Sequence, residues 1–195
     1  MDNPYCYTED QRFHLSVETI KRLCFDLLCM FKASQPLIKS AFEDEESQPD
    51  PLLDLYEQLV FPALSEKLLQ LAIMFRTFDD QMKDSEKCDE YQKCMEAIDH
   101  GKGYVGVLND GEPFTLREAC NKILHARTIR PLYERLDQSG LKSQQSLWHL
   151  TGEIELIGKH QSRDWSANIH LCSMLELILT AIDINVPAAD SMSNL

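Results

Sequence analysis

Three side chains spaced four residues apart, Arg117, Asn121 and His125, hold most of the chemistry that this sequence offers. On a helix turning ~100° per residue they fall within ~80° of arc, on one face. Arginine carries a planar donor fork suited to phosphate. Histidine is the side chain best placed to exchange protons near neutral pH. An arginine, an amide and an imidazole on one face could converge on an anion, with His125 moving a proton and Arg117 stabilising developing charge. The same letters also suit a structural role, with His125 bonded to a neighbouring carbonyl and Arg117 paired to a carboxylate elsewhere.

The surroundings of this triplet are basic, although the chain is not. Residues 115–135 hold Arg117, Lys122, Arg127, Arg130 and Arg135 against Glu118 and Glu134, a local net of +3. Lys122, Arg127 and Arg130 are therefore candidate anion-binding residues. The whole 195-residue chain has 19 basic and 32 acidic side chains, a net of −13. Residues 1–100 carry −11 of this and residues 101–195 only −2. Such a balance excludes a general nucleic-acid coat protein, which needs a basic footprint. The densest acidic run, Glu43, Asp44, Glu45 and Glu46, lies in a proline-bearing linker. It reads as a solvated loop or as an acidic docking surface for a protein partner.

Other motifs are weak or absent. Gly101-Lys102-Gly103-Tyr104-Val105-Gly106 matches G-x-G-x-x-G, but a helical pattern precedes it and an extended piece ending at Asp110-Gly111 follows, so it reads as a loop. No nucleophile elbow, H-E-x-x-H, Walker lysine or EF-hand loop occurs. The seven cysteines form no C-x-x-C pair, and His170-x-Cys172 lacks the neighbours of a metal site. No cofactor and no metal are expected. The start of the chain has no basic region followed by an apolar run, and no ~20-residue uninterrupted apolar stretch is present. These features point to a reducing cytoplasm and to no membrane contact.

The elements that must position the triplet follow from periodicity. Apolar residues recur at helical spacing from about Glu9 to Ala33. A second helix opens at Pro51, is interrupted or kinked at Pro62, and resumes through Leu64, Leu68, Leu71, Phe75, Phe78 and Met82. A third covers Ser85 to Asp99. Thr115-Leu116-Arg117-Glu118 is a capping box opening the helix of the triplet, and a short helix at Leu132 to Leu136 is expected after Pro131. Then the period drops to two. Trp148, Leu150, Ile154 and Leu156 alternate with polar residues, as do Trp165, Ala167, Ile169 and Leu171, which predicts a β-hairpin over about 147–171. Paired positions must sum to an odd number, such as Ile154 with Ala167 or Ile169, and both tryptophans are expected in the core. A last helix spans about Met174 to Ile182. The fold class expected is a mainly α bundle with one antiparallel hairpin in its C-terminal half and a final helix. It forms a single domain over 1–186, followed by a tail over 187–195.

The stretch Leu116-Arg117-Glu118-Ala119-Cys120-Asn121-Lys122-Ile123-Leu124-His125-Ala126 resembles the signature helix of HEPN-type helical domains, and of uncharacterised bacterial proteins that pair such a helix with a late hairpin. HEPN domains are helical bundles, commonly dimeric. Many are metal-independent ribonucleases whose arginine and histidine, four to six residues apart, meet across the dimer; others bind nucleotides or partners without catalysis. In this chain seven residues separate Arg117 from His125, and Cys120 stands where an arginine before Asn121 is expected. The resemblance thus implies a homodimer and two functions. The favoured one is a non-catalytic partner-binding or regulatory protein, in a bacterial defence or toxin–antitoxin setting. The alternative is a ribonuclease using Arg117 and His125 on RNA.

Overall fold

A computed structural model describes residues 15–42, 50–100, 105–108, 111–136 and 147–184. The acidic run Glu43 to Glu46, residues 101–104 of the glycine-rich motif and the tail 187–195 lie outside them. The elements run α1 (Val17–Ala41), α2 (Pro51–Lys83), α3 (Cys88–His100), β1 (Gly106–Leu108), α4 (Leu116–His125), β2 (Ala126–Arg135), β3 (Trp148–His160), β4 (Arg163–His170) and α5 (Leu171–Asp183). The fold is mainly α with a strand region in its C-terminal half and a final helix.

Both long helices are capped as their sequences dictate. Ser16 Oγ accepts from the Thr19 N–H at 3.3 Å, and Asp50 Oδ1 accepts from Leu52 N–H at 2.8 Å with Pro51 in the first turn. Neither internal proline ends its helix. α1 continues past Ala33 through Pro36 to Ala41, and α2 runs through Pro62 as one helix, so of the expected interruption or kink the interruption does not occur. Pro62 lies on the exposed side, where water can reach the Gln58 carbonyl that it leaves unbonded. By composition one 18-residue window of α2, with mean hydropathy 1.2 and 28% of it buried, is apolar enough to cross a membrane.

The hairpin is part of a four-stranded antiparallel sheet ordered β1-β4-β3-β2. Its register has the odd sum required by the apolar alternation: Ile154 faces Ile169 and Leu156 faces Ala167. The turn is tight. Gln161 and Ser162, with φ of 46° and 69°, connect the strands directly, as a two-residue hairpin demands. Residues 126–135 are an edge strand rather than the short helix expected at Leu132 to Leu136. Proline opens helices and also tolerates sheet edges. Here Thr128, Ile129 and Tyr133 favour the strand, and Pro131 sits beside a register shift.

The two tryptophans separate. Trp165 lies half-buried across Gly158, its cross-strand partner, where an added Cβ would come within 2.1 Å of the ring. Trp148 is 54% exposed, not in the core. Gly152 adopts φ +88°, and β3 carries two extra residues between its pairings to Pro131 and Tyr133. The bulge turns the start of β3, so that Leu147 and His149 go inward and Trp148 outward.

One main core joins the helices to the sheet. It contains Ile20, Leu27 and Phe31 of α1, Leu64, Leu68, Leu71, Phe75 and Phe78 of α2, Tyr91, Cys120, Ile154, Leu156, Ile169 and most of α5's inner face. α4 lies against α2 within it, which sets the position of Arg117.

Candidate functional site

The capping box forms as its sequence requires. The Thr115 N–H donates to Glu118 Oε2 at 2.8 Å, and the Glu118 N–H donates to Thr115 Oγ1 at 3.2 Å. From this start α4 turns Leu116, Ala119, Cys120 and Ile123 into the core. Arg117 then faces α2, where it forms ion pairs with Asp79 and, at 2.8 Å, with Asp80. The side chain of Asp79 is only 2% exposed. Its Oδ1 accepts from the Tyr91 hydroxyl at 2.9 Å, and its Oδ2 pairs with Lys83 at 2.9 Å.

This is a ring of fixed partners around one buried carboxylate. Burial lowers the Arg117 pKa, and the charge of Arg76 lowers it further. Burial likewise pushes the Tyr91 hydroxyl well above its ordinary range. A cleft of about 260 Å³ lined by Asp79, Lys83, Tyr91, Asp99, Thr115 and Arg117 opens beside the ring. Asp99 is raised by desolvation and then by Glu118. The Asp79 carboxylate is engaged by Tyr91, Lys83 and Arg117, so it is not a free base. The Arg117 fork is spent on two aspartates.

His125 is exposed at the last residue of α4, and Asn121 is half-buried between. At 1.5 Å per residue, His125 lies ~12 Å along the helix axis from Arg117. One chain therefore does not bring the two to a common reacting atom. Two of the expected basic side chains have partners of their own. The Lys122 ammonium sits 4.4 Å from the centroid of the Trp165 ring, and Arg130 is 3.5 Å from Glu155. Arg127 is exposed.

A second polar cleft, of about 190 Å³, gathers Lys32, Glu134, His149 and Cys172. It has the residue types of a thiol–imidazole pair, but both His149 nitrogens are engaged. Nδ1 is 3.1 Å from the Leu150 carbonyl and Nε2 is 3.4 Å from Glu134. Nearby the buried Ser34 hydroxyl accepts from Leu150 N–H at 3.0 Å, so this end of β3 is pinned to α1. The six cysteines among the described residues are free thiols, and no metal-holding group of His, Cys, Asp or Glu occurs among those residues.

What sequence reasoning missed lies on α2. Leu52, Leu55, Leu59, Leu69 and Ile73 are 41% to 64% exposed. At ~100° per residue they fall within ~100° of arc, centred ~170° from the buried face of Leu53, Val60, Leu64, Leu68, Leu71, Phe75 and Met82. α2 is thus apolar on two opposite faces. Positions 52, 55, 59, 62, 66, 69 and 73 step by three and four in strict alternation, a heptad seam interrupted only by Pro62 and Glu66. Beside its first half a groove of about 320 Å³ is lined by Met30 and Leu37 of α1 with Leu52, Leu55, Tyr56 and Leu59.

Comparison with protein-family profiles, with curated proteins and with solved structures finds no match to this chain.

Proposed function

We propose that this protein is a non-catalytic, partner-binding protein that presents the outer face of α2 to another protein chain. The observation that carries the reading is the second apolar face of α2, opposite the core and exposed along ~32 Å of helix. A single exposed leucine needs no explanation, but an aligned row of five marks an interaction surface. Full burial of a wholly exposed side chain of this kind is worth roughly 1.5–3 kcal/mol, and these five, 41% to 64% exposed, each have about half of that still to gain. The reading keeps the regulatory half of the HEPN-type expectation and does without the ribonuclease half, whose arginine is held by Asp79 and Asp80.

The test is a photoreactive side chain placed at position 59 or 73 of the intact protein in its own cells. Irradiation is expected to yield protein adducts from both positions and none from position 54, which is exposed on α2 but off the seam. Absence of adducts at 59 and 73 defeats the reading.

A further inference from the structure

Resting on that reading, we infer that the occupant of the α2 face is a second copy of this chain, packed antiparallel about a two-fold axis beside Pro62 and Ala63. The seam is close to self-complementary about that point. With positions pairing to a sum of 125, Leu52 meets Ile73 of the second copy, and Leu55 meets its Leu69 and Gln70. An isologous contact requires such a match, because one patch must serve as both partners. The two halves of the seam also differ in shape in the needed way. The first half borders the groove formed with Met30 and Leu37, and the second half projects Leu69 and Ile73, 41% and 49% exposed. The two-fold axis carries each projecting pair into the groove of the other copy.

Charge selects the antiparallel arrangement. Glu66 is the one acidic side chain on the seam. A parallel pair would set two Glu66 carboxylates face to face, whereas the antiparallel pair puts each against Leu59 and separates the two by ~10 Å along the axis. This face is distinct from the α4 face through which a HEPN-type dimer would join.

Light scattering of the purified full chain at micromolar concentration is expected to give twice its 22.5 kDa mass. Leu69→Glu and Ile73→Glu should each weaken the dimer by at least tenfold, equivalent to ~1.4 kcal/mol, with the helical circular dichroism unchanged because both positions are exposed. In a Cys6→Ser, Cys29→Ser background, Pro62→Cys should form an interchain disulfide. Leu52→Cys should not, since its two copies lie ~30 Å apart along the axis. A monomer, a dimer indifferent to both glutamates, or crosslinking through Leu52→Cys overturns the proposal. A monomer that still gives adducts at positions 59 and 73 leaves the binding reading standing with a different protein partner. A monomer that instead sediments with lipid vesicles, and gives no protein adducts, ends both.

Discussion

Replacing Asp79 with alanine is expected to destabilise the protein by ~2–4 kcal/mol, the cost of an orphaned buried donor together with part of an ion pair whose other members stay partly solvated. The geometry accounts for the size. The Tyr91 hydroxyl loses the acceptor that it reaches at 2.9 Å, in a residue that is fully buried. An orphaned buried donor costs ~1–3 kcal/mol. Arg117, 34% exposed, loses its buried counter-ion but keeps Asp80, which adds a further part. Lys83, 42% exposed, is released to solvent at little cost. For a chain of this length ~1 kcal/mol moves the melting temperature by ~2–4 °C, so a fall of ~4–16 °C is expected in thermal unfolding followed by circular dichroism. Tyr91→Phe in the same background should cost less than it does alone, because its hydroxyl has already lost its partner. A melting temperature within ~2 °C of wild type for Asp79→Ala, set against that ~2–4 °C per kcal/mol, would show that the ring around Asp79 does not fasten α2 to α4. Arg117 would then be available for other work.

His125→Ala should change stability by no more than ~0.5 kcal/mol, as for other exposed positions, and urea unfolding will show whether a hidden partner exists. The buried thiols give a pH signature. Burial pushes both Cys24 and Cys120 from 9.0 to about 12. Between those values the unfolded chain releases protons that the folded chain retains. Stability should therefore be intact below pH 9 and fall as pH rises toward 12, by up to ~1.4 kcal/mol per pH unit for each thiol. Chemical denaturation across that range measures the slope, and a flat profile contradicts the burial. Below pH 9 a small alkylating reagent should modify the exposed Cys29 and spare Cys24 and Cys120 until the chain unfolds.

The sequence carried the hairpin register because Ile154, Leu156, Ala167 and Ile169 alternate with polar neighbours, and period two leaves only two choices of face. It carried α4 because a capping box is local chemistry. Trp148 was misplaced because a bulge at Gly152 resets the face without altering the letters on either side. Residues 132–136 were misassigned because a proline before an amphipathic stretch suits a helix start and a sheet edge alike. The site divides in the same way. The spacing of Arg117, Asn121 and His125 is a property of one helix, whereas the partner of Arg117 lies 38 residues earlier, at Asp79. Local periodicity contains no information about that pairing. The outer seam of α2 was present in the sequence throughout. Leu52, Leu55 and Leu59 merge into one apolar run with Leu53, Val60 and Leu64, and only a helix traced unbroken through Pro62 separates them into two faces.

Adduct yield from a photoreactive side chain at position 73 tests most directly whether the working surface is α2 rather than α4. It is to be compared between chains carrying Leu59→Glu and chains carrying His125→Ala. Both positions are exposed, so both variants should fold as wild type does. The account predicts that Leu59→Glu removes most of the adduct and that His125→Ala leaves it intact. Adduct lost with His125→Ala and retained with Leu59→Glu would contradict it.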